Sequence, residues 1–272
     1  MGWMQKHPTR YPTDLTDEEW DQIKSLVPVP KSGKGKKGRP IKLDRRQLVN
    51  GIFYVVRAGC AWRLLPKDFG PWSTVYGYFR TWCRDWTWRF IHDTLRDCVR
   101  KNAGRKVAPT AAIIDSQSVK TPDQAGERGY DAGKKVSGRK RHLAVDVLGM
   151  ILAITITSAA VQDRDAAKSL ITLMLSMYQR IQIIWADGGY LGTLVRWVKK
   201  LRPFGKLKLE IVRRCDDVKG FKVIRKRWVV ERTFGWLVKS RRLCRDYEVR
   251  VDHSEAMIRI CMIRLMVKRL AR

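Results

Sequence analysis

Two stretches of this chain share a pattern that few folds accommodate. Ala111 to Lys120, AAIIDSQSVK, runs small and apolar residues into Asp115, and Ile181 to Tyr190, IQIIWADGGY, ends a second apolar run in Asp187 before two glycines. A short apolar run that ends in a carboxylate reads as a buried strand delivering one acid to its tip. For a single copy, the simpler account is an aspartate capping the turn that follows, because its short side chain bonds the nearby backbone. The second copy shifts the balance. Two strand-borne acids facing one side, joined by a third carboxylate, make an oxygen-rich site for a hard divalent cation.

The residues between and after these strands predict the sheet that would carry them. Thr121 to Gly138 is a loop rich in Gly, Asp and Lys; Arg139 to Gly149 alternates, Leu148-Gly149 turns, and Ile151 to Ser158 alternates again, which is a hairpin. Asp163 or Asp165 caps a helix over Ala166 to Gln179, Ile181 to Ala186 is a strand, and Thr193 to Leu201 is a helix. Leu207 to Val212 is a further strand, and an amphipathic helix runs from about Phe221 to Leu243. Three antiparallel strands continued by strand-helix crossovers make a mixed five-stranded sheet with helices on both faces, the order of a ribonuclease-H-like α/β domain.

The last helix offers the third acid. Around Glu231, the positions at spacings of three and four are Ile224, Arg227, Trp228, Phe234, Gly235, Val238 and Arg242, a mostly apolar stripe that places Glu231 towards the sheet. A bare carboxylate there costs on the order of several kcal/mol. It is relieved either by a metal shared with Asp115 and Asp187 or by an ion pair with Arg227 one turn earlier. Arg225, Arg232 and Lys239, at steps of seven, form a basic strip suited to a phosphate backbone. Lys134, Lys135, Arg139, Lys140 and Arg141 are a second basic set, read either as DNA contacts or as a solvated hairpin. Asp146, Asp163 and Asp165 read as structural, and nothing assigns His142 a proton-transfer role.

Charge names the class of partner. Lys and Arg number 56 against 26 Asp and Glu, a formal charge of +30, which on a folded chain calls for a polyanion. The longest nearly uncharged run, Gly149 to Gln162, is too short to span a bilayer, and Met1 to Arg10 is polar, so a cytoplasmic, nucleoid-associated protein without membrane contact is expected. The six cysteines (60, 83, 98, 215, 244 and 261) are scattered without a C-x-x-C pair, which predicts free thiols and argues against zinc.

The amino-terminal part reads as a small all-α domain. In LTDEEW, Thr16 and Glu19 stand at capping-box spacing, predicting a helix from Asp17 to about Val27. Lys31 to Arg46 holds eight basic residues, one acid and three glycines: a basic linker that either tracks phosphates or is simply solvated. Asp44 and Gln47 open a helix through Ala58 that ends at Gly59. After a short apolar turn and the Gly70-Pro71 break, a helix from Ser73 to Asp85 completes a helix-turn-helix-like arrangement. Ser73, Thr74 and Arg80 would face the DNA major groove. Alternatively, Trp62, Trp72, Tyr76, Phe79 and Trp82 are core. A helix over Trp88 to Lys101 closes this domain, and Asn102 to Pro109 reads as a linker, giving domains at 1–106 and 107–272.

Taken together, LTDEEW and GRP, RAGCAWRLLP with PWSTVYGYFRTW, IIDSQSVK, GKKVSGRKRHLAVD, WADGGY and RWVVERTFGWLVKSRRL carry a resemblance. The chain resembles DDE transposases of bacterial insertion sequences, in the broad group of insertion sequence five, over essentially its whole length. The resemblance implies that Asp115, Asp187 and Glu231 are the DDE triad, both catalytic and metal-binding. They would hold two Mg2+ ions, with Mn2+ as substitute, roughly 4 Å apart, as in two-metal displacement at phosphorus. It implies double-stranded DNA as partner, at terminal inverted repeats and at the target, and a homodimer because two ends are cut in concert. One departure stands out. The family signature has Tyr seven residues before the Glu, Arg four before and Lys seven after; Arg227 fits, whereas Ile224 and Val238 take the other places and Lys239 falls one late. Two rivals follow: a nuclease that cuts without joining, and a silent DNA-binding protein derived from a transposase.

Overall fold

The structure, a computed structural model, describes residues 10–29, 43–123, 126–202, 205–212 and 226–272. Residues 31–42 of the basic linker lie outside them, as do Cys215, Ile224 and Arg225. The chain forms two compact units: Met1–Asn102 with Lys239–Leu243 and Ala256–Arg272, and Ala103–Val238 with Cys244–Glu255.

The first unit is helical. Helix α1 (Asp17–Ile23) starts with a full capping box: the Thr16 hydroxyl accepts from the Glu19 N–H at 3.2 Å, and the Glu19 carboxylate accepts from the Thr16 N–H at 3.2 Å. Thr16→Ala is expected to cost about 1 kcal/mol in urea denaturation; an unchanged midpoint would remove the cap's role. Helix α2 (Arg45–Ala58) is capped by Asp44 and ends at Gly59, whose φ of 75° and close approach to Arg241 leave no room for a side chain. The connection between α2 and α3 (Trp72–Arg84) spans the length expected and holds 3-10 turns at Trp62–Leu64 and Lys67–Phe69. Both expectations for α3 find a face on it. Val75, Phe79 and Trp82 are buried, with the Trp62 ring 5.0 Å from Phe79, while Ser73 and Arg80 are exposed and Thr74 is half-buried. Helix α4 (Thr87–Asn102) follows.

One helix escaped the sequence reading. Helix α8 (Val251–Leu270) buries Met257, Ile258, Ile260, Met262, Ile263 and Met266, apolar residues that ring the helix instead of forming a stripe. Ala256–Arg272, which the sequence places in 107–272, groups with the helical unit. No helix among the described residues is long and apolar enough to cross a membrane.

The second unit is built on one mixed sheet of β1 (Ala111–Lys120), β2 (Gly129–Asp131), β3 (Val136–Val145), β4 (Ile151–Ser158), β5 (Ile183–Ala186) and β6 (Lys208–Ile211). Strand β3 lies antiparallel to β1 and β4, β5 parallel to β1, and β6 parallel to β5. Without β2 the order is β4-β3-β1-β5-β6, that of the ribonuclease-H-like fold. Among the described residues the sheet has six strands, not the five expected. The extra one, β2, is a three-residue piece on the end of β3, too short to show alternation, and is fastened where Asp131 accepts from the Ser118 hydroxyl at 2.6 Å.

Helices cover both faces. Ala112, Ile114, Ala144 and Ile184 pack with Leu170, Ile171 and Met174 of α5 (Asp163–Met177) and Leu194 of α6 (Thr193–Leu201). The intervening residues of β1 point the other way, towards α7 (Trp228–Val238), which touches β1 and β3. Asp163 and Asp165 are in the first turn of α5; its N-cap is Gln162. The long helix expected to Leu243 stops at Val238 and gives way to a 3-10 turn at Arg241–Leu243.

Candidate active site

Strand register sets the first two acids side by side. Strands β1 and β5 pair in parallel up to Ile113 with Trp185, so Asp115 and Asp187 each stand two residues beyond the last pair. The strands part there, leaving room between the acids. Asp115 is not at a strand tip as expected: β1 continues to Lys120, with Asp115 opposite Leu143 of β3. Its carboxylate accepts from the Ser116 N–H at 2.7 Å. Asp187 does end its strand, and its carboxylate accepts from the Gly189 N–H at 2.9 Å, turning the chain into a 3-10 turn at Gly188–Tyr190.

Helix α7 brings Glu231, and the residue just before the helix, Arg227, joins the three. One terminal guanidinium nitrogen of Arg227 lies 3.9 Å from Asp115, 3.7 Å from Asp187 and 3.2 Å from Glu231. The side chains of Asp115, Asp187, Arg227 and Glu231 are 16, 31, 19 and 49% exposed. Glu231 is thus not on the buried stripe: α7 turns Val229, Val230, Thr233, Phe234 and Leu237 inward, and Glu231 sits at its margin with the Arg227 pair in place. Its burial penalty is correspondingly small. Burial pushes the Asp115 carboxyl up to about 6, and the Asp187 charge adds to the rise against the Ser116 N–H, Arg227 and Lys134.

Lys134 is the second cation at this place. Its Nζ is 3.3 Å from both the carbonyl and the hydroxyl oxygen of Ser116. Tyr190, buried with its phenol raised well above the ordinary range by that burial, hydrogen-bonds the same serine. Lys134 belongs to the second basic set read from the sequence, whereas Tyr190, which closes the WADGGY stretch that delivers Asp187, does not stand out there.

The donor set suits a hard divalent cation: three carboxylates share one guanidinium. Their present spacing is that of a guanidinium-centred cluster, for among the described residues no group of three Asp, Glu, His or Cys side chains is placed to hold a metal ion.

The remaining basic residues divide. Lys135 is exposed. Arg139, Lys140 and Arg141, expected at DNA, are buried. Arg139 donates to the carbonyls of Glu127, Glu248 and Val249, Lys140 to that of Val161 while paired with Asp131 and Asp163, and Arg141 to that of Arg245. They are internal struts, because the segments around residues 127–131, 161–163 and 245–249 supply the acceptors that hold them. Of the strip Arg225, Arg232 and Lys239, one member alone, Arg232, is on the described part of α7. Arg225 is outside the described residues, and Lys239 lies past the end of α7, exposed in the helical unit. Arg232 is stacked 4.3 Å from the Trp228 ring and 4.7 Å from that of Trp236, donating to the Leu148 carbonyl. Asp146 accepts from the N–H groups of Leu148 and Met150, shaping the hairpin turn. His142, its pKa lowered to about 4 by burial, bonds Thr157.

The ribonuclease-H-like sheet thus carries two aspartates on its central parallel pair, with a glutamate of α7 beside them. Comparison with known proteins gives the family. Residues 15–92 match the family described as putative transposase of the IS4/5 family, and residues 107–266 the transposase DDE domain. A putative transposase for insertion sequence element IS402 of Burkholderia cepacia is 32% identical over 160 residues, 56% of this chain and 72% of that protein. An uncharacterized 16.2 kDa protein of insertion element IS402, from the same organism, is 30% identical over 108 residues, 39% of this chain and 72% of that protein. The Mos1 strand transfer complex aligns over 99% of this chain and 79% of that chain at 11% identity, but with a TM-score of 0.28 it adds nothing to the sheet order. The chain belongs to the DDE transposases of the IS4/5 type. DDE transposase domains use divalent metals.

Proposed function

We propose that this protein is the transposase of an insertion sequence, binding the terminal inverted repeats and catalysing strand cleavage and strand transfer at one site. The observation that carries the reading is the meeting of Asp115, Asp187 and Glu231, from three separate elements, around one nitrogen of Arg227. Asp115, Asp187 and Glu231 would hold two Mg2+ ions, or Mn2+ in their place. When bound, such ions supply charge that activates an oxygen nucleophile and stabilises the departing 3′ oxygen.

The chain's own cations would hold the DNA. Arg227 and Lys134, beside the triad, take the phosphates next to the scissile bond, and exposed Lys135 and Lys239 add to the field of a chain with formal charge +30. Ser73, Thr74 and Arg80, on the outward face of α3, read the repeat in the major groove. Arg232, held between two indoles, contributes charge through a fixed side chain. Synapsis of two ends calls for a homodimer, working on DNA in the cytoplasm at the nucleoid.

The test is cleavage and joining of a labelled duplex bearing the terminal repeat, with Mg2+, in the parent and in Glu231→Gln. The parent is expected to release a 3′ hydroxyl end and join it to target DNA, with the variant slower by on the order of 10^3-fold or more while still binding the repeat. Binding without nicking in the parent would make it a silent DNA-binding protein. Nicking without joining would make it a nuclease.

A further inference from the structure

Arg227 occupies the point on which the triad converges. A well-formed bond between a guanidinium and a carboxylate is about 2.7–2.9 Å long. Here a single nitrogen is shared at 3.2, 3.7 and 3.9 Å, so no acid has it in close or bidentate grip. The same side chain keeps its Nε buried without a hydrogen-bond partner among the described residues. A guanidinium held this way is sited by the summed field of three acids and not by directed bonds.

A divalent cation makes the opposite demand. Mg2+ takes carboxylate oxygens at about 2.0–2.1 Å, so acids now grouped 3–4 Å around a nitrogen must draw inward onto the ion. Two cations cannot share that point. We infer that Arg227 is the resident counter-ion of the metal-free triad, and that divalent metal competes with its guanidinium for the three carboxylates. Arg227 lies immediately before the first residue of α7, Trp228, so its side chain can swing away without disturbing the helix that carries Glu231. Displaced, it is free to pair with a DNA phosphate, which couples metal loading to substrate capture. The inference rests on the metal part of the proposed function and adds an order to it: the acids exchange one cation for another instead of waiting uncompensated.

The test is Mn2+ binding by full-length, EDTA-treated protein without DNA. Free Mn2+ is followed by electron paramagnetic resonance, and thermal denaturation is recorded with and without the ion. Arg227→Gln keeps a polar side chain of similar reach and removes the competitor. It is expected to bind Mn2+ about tenfold more tightly than the parent, within the usual range of coupling between two ligands. It should also melt lower than the parent without metal and gain more from Mn2+. Arg227→Lys, which keeps a cation but loses the planar fork, should fall between the two and serves if the Gln variant does not fold. Affinity unchanged or weakened in these variants, with the parent still binding Mn2+, overturns the inference alone and makes Arg227 a support for the acids. No Mn2+ uptake by parent or variants overturns it together with the metal reading of the triad.

Discussion

Asp115→Asn is expected to stabilise the metal-free protein while abolishing strand cleavage. The Asp115 carboxyl has a pKa of about 6 against an ordinary 3.8, because it is buried on β1 with Asp187 beside it. The folded protein therefore keeps this proton up to about pH 6, whereas the unfolded chain releases it near pH 4. Between those values the folded state binds more protons, so stability falls as pH rises from about 4 to about 6 and stays lower above. Ionising Asp115 in the folded protein is thus a cost on the order of 3 kcal/mol at pH 8, which the neutral amide does not carry. Urea denaturation in EDTA should show a gain of that order at pH 8, shrinking to little at pH 4. Cleavage of the repeat should drop on the order of 10^3-fold or more, as for an acid acting within a catalytic unit. An equal stability difference at both pH values would mean that packing, not charge, distinguishes the variant. Cleavage surviving in Asp115→Asn would remove this residue from the chemistry.

Arg139→Ala should be the most damaging change to stability. The guanidinium is fully buried in the second unit, donating at 2.6 and 2.9 Å to the carbonyls of Glu248 and Val249 and at 2.9 Å to that of Glu127. The buried Asp246 carboxylate is 3.6 Å from it and accepts from the Ser254 hydroxyl. Removing the arginine takes the cation from that buried carboxylate and the donor from the buried Glu248 carbonyl, an expected loss of about 3–5 kcal/mol. Lys135→Ala, in the same basic stretch but exposed, should change stability by less than about 0.5 kcal/mol. Chemical denaturation of the two variants separates strut from surface charge. If Arg139→Ala folds as well as the parent and instead loses only DNA affinity, its role as an internal strut fails.

These contrasts show what the linear pattern carries. Apolar runs ending in Asp115 and Asp187 are legible because the residues that make a buried strand and the acid it delivers are contiguous. The capping box at Thr16 and the stop at Gly59 are legible for the same reason: each is made by residues within one turn of one another. Helix α8 was not, since a helix buried all round has no polar face to mark its period, and β2 was too short to show one.

What the sequence determined by itself is the apolar runs that lead into Asp115 and Asp187 and the order of the five longer strands, because strand burial and helix caps depend on neighbours along the chain. The tertiary structure alone decided which charges face outward and what stands at the centre of the acids. Arg139, Lys140 and Arg141 look in sequence like a DNA-binding run, yet all three are buried against carbonyls from other parts of the chain. The carbonyls that accept from Arg139 include Glu248 and Val249, more than 100 residues away along the chain. Glu231 looks buried by its spacing, yet α7, resting on β1 and β3, leaves it at the rim beside Arg227. Side-chain period is a property of one element. Burial and charge pairing belong to the contacts between elements, and those exist only once the chain has folded.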